Sequence, residues 1–191
     1  LVQNGFEVAV HGLKHDGKLF FSKRVFDARA RRINRYLEDW DAVGFHSPSM
    51  YRNLDWIHGL NIRYDQSTFD TDPFEPQPEA AGTIFPFWIN NGATLNGYVE
   101  LPYTLPQDFT LFVLLKQTDI TIWKTKLDWI AQNGGMALLN THPDYMDFGG
   151  KLNCGETYPS KRYTDFLKYV SSKYGGKFWQ PLPREMAEYW H

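Results

Sequence analysis

Gly5-Phe6-Glu7-Val8-Ala9-Val10-His11-Gly12-Leu13-Lys14-His15-Asp16 is the stretch on which the fold turns. Phe6 to Val10 favour β-structure, stand between two glycines, and deliver the chain into a polar loop carrying two imidazoles four positions apart. A short apolar run bounded by turn formers reads as a buried strand. The pattern recurs downstream. Ala42-Val43-Gly44-Phe45 runs into His46, Ile62-Arg63-Tyr64 into Asp65, and Met136 to Leu139 into Asn140-Thr141-His142. In parallel α/β architectures functional groups gather at the carboxyl ends of strands, where the loops face one mouth. His11, His46 and His142 are therefore expected there.

Between these strands the sequence turns helical. From Phe20 to Trp40 apolar residues recur at helical spacing (Phe21, Val25, Ala28, Ile33, Leu37, Trp40), while Arg24, Arg31, Arg32 and Arg35 read as a solvated face. Met50 to His58 is a second helical segment after the break at Pro48, Ile120 to Asn133 a third stopped by Gly134-Gly135, and Lys161 to Tyr174 and Leu182 to Trp190 two closing helices. Short strands are expected at Thr83 to Phe87 and Tyr98 to Leu101, inside and after a long turn-rich stretch over 66–96. Alternating strands and helices predict parallel strands joined by crossover helices, in a doubly wound sheet or a barrel. With 191 residues and no linker or repeat, the chain is expected to form a single domain over 1–191. Leu1 to Gly5 reads as the last turn of a helix with its glycine stop, so structure is expected upstream.

Composition narrows the partners. The 20 basic and 22 acidic side chains balance, so no strong field recruits nucleic acid or an anionic membrane surface. No apolar run is long enough to span a bilayer. One cysteine, Cys154, rules out an intramolecular disulfide framework, which allows a reducing, cytoplasmic compartment without requiring one. At 17% the aromatic content is high; rings such as Trp56, Tyr98 and Tyr103 suit sugars as well as cores, and the core reading is preferred for most.

Neutral imidazoles at a strand end, as at His11 and His15, are good ligands for zinc and other first-row metals. The run from Gly5 to Asp16 resembles the second motif of the NodB-homology polysaccharide deacetylases, carbohydrate esterase family 4, whose two histidines bind the catalytic metal. Further resemblances follow in the family's order. Phe45-His46-Ser47-Pro48 is similar to the third motif, Arg-x-Pro; Tyr64-Asp65-Gln66-Ser67 to a Tyr-Asp-Ser-Ser element; Asn140-Thr141-His142-Pro143 to the fifth, with its catalytic histidine; and Phe178-Trp179 with Leu182-Pro183-Arg184-Glu185 to the tail of one deacetylase branch.

The resemblance implies a distorted (β/α)7-type barrel, incomplete at its N-terminus, and a metal-dependent hydrolysis of N-acetylated sugars in a polysaccharide or its precursor. His11 and His15 match the metal ligands, with zinc the expected ion and cobalt or nickel alternatives. The backbone N–H of Ser49, after His46 and Pro48, matches an oxyanion donor. His142 matches the proton donor to the departing amine, with Asp65 the expected carboxylate beside it and Tyr64 flanking the pocket. Asp70 and Asp72 read as turn formers. Glu100 either supports substrate or ends a strand.

Two departures stand out. The family's first motif, Thr-Phe-Asp-Asp, supplies the base and a third metal ligand, and no Asp-Asp pair occurs in this sequence, so the isolated chain is expected to be inactive. His46 stands where the family has an arginine, whose bidentate fork an imidazole cannot reproduce. Two other readings stay open: hydrolysis of a small cyclic amide or imide on the same barrel, and a non-catalytic sugar-binding or assembly remnant. An uncovered parallel edge would also invite homo-oligomerisation.

Overall fold

The computed structural model describes residues 1–92, 97–149 and 156–191, so Cys154 and the end of the 66–96 stretch lie outside the described residues. In chain order the elements are a 3-10 turn Val2–Asn4, helix α1 Lys23–Asp39, strand β1 Gly44–Phe45, a 3-10 turn Pro48–Met50, α2 Leu54–Ile57, β2 Tyr64–Asp65, β3 Phe87–Asn90 and β4 Gly97–Glu100. A π-helix Phe109–Leu114, α3 Thr121–Asn133, a 3-10 turn Pro143–Tyr145, β5 Met146–Asp147, β6 Tyr158–Pro159, α4 Lys161–Tyr174 and α5 Pro183–Trp190 follow. These pack as two compact units, Leu1–Pro102 with Pro181–His191, and Tyr103–Gln180.

The first unit carries a four-stranded sheet in the order β1-β2-β4-β3. β1 to β2 and β2 to β4 are parallel, as the alternation of strands and helices predicts, but β3 returns antiparallel to β4, so the sheet is mixed. The strand expected at Thr83 to Phe87 begins only at Phe87, where pairing with Glu100 starts. Phe6 to Val10 does not form the expected strand. Its pairing is a single parallel bridge from Val10 to Phe45, and Phe6 is 60% exposed. Val10 is buried and is held along β1 by both its backbone groups: its N–H donates to the Gly44 carbonyl at 3.0 Å, and its own carbonyl accepts from His46 N–H at 3.0 Å.

Helix α1 starts where Ser22 Oγ accepts the Val25 N–H, an N-cap that satisfies one orphan donor of the first turn. Its buried stripe is Phe26, Ala30, Ile33 and Leu37. The sequence reading placed Phe21, Val25, Ala28 and Trp40 on that face; Phe21 is 82% exposed and Trp40 52%, so the stripe is rotated, pinned by Phe26 stacking on Phe20 and packing on Trp56. Burying Phe26 and Ile33 fully contributes roughly 1.5–3 kcal/mol each. The four arginines are exposed, as a solvated face requires. A buried carboxylate ties α5 into this unit: Glu7 accepts from Tyr64 Oη at 2.9 Å, Arg184 N at 3.0 Å and Arg184 Nε at 3.2 Å.

The second unit packs α3 against α4 around Trp123, which is fully buried between Phe112, in edge-to-face contact, and Phe166. Trp123 Nε1 donates to the Pro106 carbonyl at 2.6 Å, so the buried indole N–H is satisfied. Gly134 ends α3 in the left-handed conformation, and its N–H closes on the Ile130 carbonyl. The strand expected at Met136 to Leu139 is reduced to one parallel bridge, Leu105 to Leu139, while β5 and β6 form a short parallel pair. The chain is thus mixed α/β. Among the described residues the strands do not close into a barrel.

Candidate functional site

In the first unit three imidazoles converge. The ring of His11 lies 5.4 Å from that of His15 and 5.0 Å from that of His46, centroid to centroid. His11 Nδ1 is 2.9 Å from the backbone carbonyl of His46. A carbonyl only accepts, so Nδ1 carries the proton and the lone pair of a neutral His11 sits on Nε2, the tautomer a metal ligand needs. Asp16, next to the pair in sequence, is committed elsewhere: both its oxygens lie 2.7 Å from the Arg29 guanidinium, which holds its carboxyl far below the usual range. Both imidazoles therefore fit a divalent ion in type, and His11 also in tautomer. No cluster of three or more His, Cys, Asp or Glu side chains able to hold a metal is present among the described residues.

Behind His46 the chain makes a strained turn. Pro48 and Met50 are buried, Ser49 is exposed, and Ser49 (φ 56°) and Met50 (φ 55°) both occupy the left-handed region without being glycine. Each such residue costs on the order of 1–3 kcal/mol and persists only when its surroundings demand it. Part of that demand is visible. Gly12 takes φ +69°, and a Cβ there would lie 2.7 Å from Pro48 Cγ, so the His11 loop rests directly on the turn. Ser47 braces it from the inside, donating from Oγ to the Tyr51 carbonyl and from N–H to Ser67 Oγ at 2.9 Å.

Tyr64 does not line an open site. It is 1% exposed, its ring covers Gly44 so closely that a Cβ there would meet Tyr64 Cζ at 2.0 Å, and its hydroxyl donates to Glu7. Asp65 is fully buried on β2, where its Oδ1 accepts from Ser67 Oγ at 2.6 Å.

The carboxylate beside His142 is Asp108, where the sequence reading placed Asp65. Asp108 Oδ1 lies 2.7 Å from His142 Nδ1, and Asp108 also accepts from His142 N–H at 2.8 Å, Phe109 N–H at 2.8 Å and Tyr158 Oη at 2.9 Å. Asp108 is fully buried, while the His142 side chain is 38% exposed. A carboxylate with four donors is positioned without compromise, and it fixes the Nδ1–H tautomer, leaving His142 Nε2 to exchange protons. Burial and then the Asp108 charge push the Tyr158 hydroxyl far above its ordinary pKa, so it stays protonated and keeps donating. The only sequence signal for Asp108 was a carboxylate opening a helical turn, since it caps Phe109–Leu114.

No protein-family model matches this sequence, and no curated protein matches it. Its fold is nonetheless shared with solved structures. A probable polysaccharide deacetylase from Pseudomonas aeruginosa PAO1 matches over the whole chain and 61% of its own length, with a TM-score of 0.67 at 18% identity. Puue allantoinase matches over the whole chain and 60% of its own length, with a TM-score of 0.63 at 17% identity. A 4-alpha-glucanotransferase from Thermococcus litoralis matches over 98% of this chain and 29% of its own, at TM-score 0.61 and 15% identity. The chain thus spans about three fifths of the first two. What the chain shares with these enzymes is a mixed α/β fold over that part of their length.

Proposed function

We propose that the chain is the larger part of a metal-dependent hydrolase that removes acetyl groups from N-acetylated sugars in a polysaccharide or its precursor. The observation that carries the reading is the His142–Asp108 pair, a partly exposed imidazole on a buried, fully hydrogen-bonded carboxylate, in a fold shared with a polysaccharide deacetylase. An acetamide is cleaved only if its nitrogen is protonated as it departs, and an imidazole held in one tautomer suits that task. His11 and His15 are the proposed ligands of a divalent metal, zinc or else cobalt or nickel. When bound, such an ion supplies Lewis acidity toward the carbonyl. Ser49, exposed on its strained turn, is the proposed source of an oxyanion-binding N–H. A third ligand and a base are still required, so the activity proposed is that of the longer enzyme, and the substrate partner is a carbohydrate.

A second reading is cyclic amide or imide hydrolysis. It is favoured by the likeness to an allantoinase and by the Tyr64-Asp65-Gln66-Ser67 element, which enzymes of both kinds share. The test is side-by-side turnover of chitooligosaccharides and cyclic imides with zinc or cobalt, using this chain and one extended upstream. Acetate release by the extended protein supports the first reading; ring opening without acetate release replaces it with the second. Inertness on both, with sugar binding retained, favours the non-catalytic remnant.

A further inference from the structure

β2 and β4 are parallel neighbours, and their register sets Asp65 directly beside Glu100. Both residues are 0% exposed. Glu100 Oε1 accepts from Thr68 N–H at 2.9 Å and Thr68 Oγ1 at 2.6 Å, and Asp65 Oδ1 accepts from Ser67 Oγ at 2.6 Å. The remaining oxygens, Asp65 Oδ2 and Glu100 Oε2, are buried without a donor, although the two side chains are within hydrogen-bonding reach of each other. Two charged carboxylates this close and this dry would repel strongly and leave two acceptors orphaned. One proton resolves both faults, because it turns one orphan into a donor and the contact into a charge-assisted O–H···O bond.

We infer that Asp65 and Glu100 share one proton at neutral pH, and that the pair acts through Ser67 to hold Ser47 and the strained turn behind it. The donor directions agree along the whole chain of contacts. Thr68 donates to Glu100, a protonated Glu100 donates to Asp65, Ser67 donates its hydroxyl proton to Asp65, and Ser47 N–H donates to Ser67 Oγ. Every donor points toward a single negative charge on Asp65, so the bonds polarise one another in the same sense. The proton therefore belongs mainly to Glu100. Phe45, the register partner of Asp65 on β1, is apolar. The buried titratable neighbour on β4 is Tyr98, in the field of both carboxylates and of Asp55; its hydroxyl donates to the Leu54 carbonyl at 2.9 Å and does not compete for the pair. Tyr64, adjacent in sequence, is engaged by Glu7. The inference does not rest on the deacetylase reading.

Burial pushes Asp65 up to about 6 and Glu100 well above its ordinary value, so the folded state keeps a proton that the unfolded chain has released. The unfolded chain then binds fewer protons than the native one, and stability falls as pH rises from the ordinary carboxyl range through the raised values. Glu100→Gln supplies a permanent N–H donor to Asp65 while keeping the oxygen that Thr68 uses. Urea unfolding of the wild type from pH 5 to 8 should show this decline, and Glu100→Gln should flatten it. Infrared spectra of the folded wild type at neutral pH should contain a protonated-carboxyl band that Glu100→Gln lacks, a reading that survives on the wild type alone if the variant does not fold. Absence of that band, or stability that depends on an added cation instead, overturns the shared proton. For the turn, Ser67→Ala should speed amide exchange at Ser47 by about tenfold, the worth of one buried hydrogen bond. Unchanged exchange there overturns the positioning role.

Discussion

Asp108 Oδ1 stands 2.7 Å from His142 Nδ1, and the same carboxylate accepts the backbone N–H of His142, so one buried side chain fixes both the ring and the loop that carries it. Asp108→Asn keeps the shape but presents an amide, which cannot serve all four donors and favours the other tautomer. Under the hydrolase reading proposed above, turnover should fall by on the order of 10²- to 10⁴-fold. Steady-state kinetics check this. An unchanged rate in a folded variant would remove His142 from proton transfer.

His142→Ala should cost turnover far more than metal affinity, whereas His11→Ala and His15→Ala should each abolish most zinc binding, because the ion loses one of few ligands. Isothermal titration with zinc separates the two classes. Equal loss of zinc in all three variants would make His142 a ligand.

Gly12→Ala should destabilise the first unit by about 1–3 kcal/mol, since alanine is strained at φ +69° and its Cβ would press on Pro48. Denaturant unfolding gives the number. A loss below a few tenths would mean the two loops yield easily.

Glu7→Ala should cost about 2–4 kcal/mol, because it strands the Tyr64 hydroxyl and the Arg184 backbone N–H and takes the partner from Arg184 Nε together. Thermal melts of this variant beside Tyr64→Phe check it. Tyr64→Phe, which removes one donor and leaves Arg184 paired, should lose less.

Much of the fold was legible because periodicity and punctuation act locally. Helical spacing placed α1, α3, α4 and α5 within a few residues, and the Gly5 and Gly134 stops were correct, since a cap depends only on its own turn. β-structure was less legible. Phe6 to Val10 has the composition of a strand but keeps only the Val10 bridge, because strands exist by pairing with a partner distant in sequence.

The order of residue types along the chain determined that His11 and His15 share a loop, that His46 follows a strand, and that His142 follows the apolar run Met136 to Leu139. Which carboxylate meets His142 was a matter of tertiary structure. Asp65 sits in the more recognisable motif, yet β2 buries it against Glu100, while Asp108, in an unremarked turn, reaches His142 across 34 positions of sequence. The physical reason is that a loop histidine's identity is local, but its hydrogen-bond partner is chosen by whichever buried acceptor the packed backbone brings within about 3 Å, a distance no sequence spacing encodes.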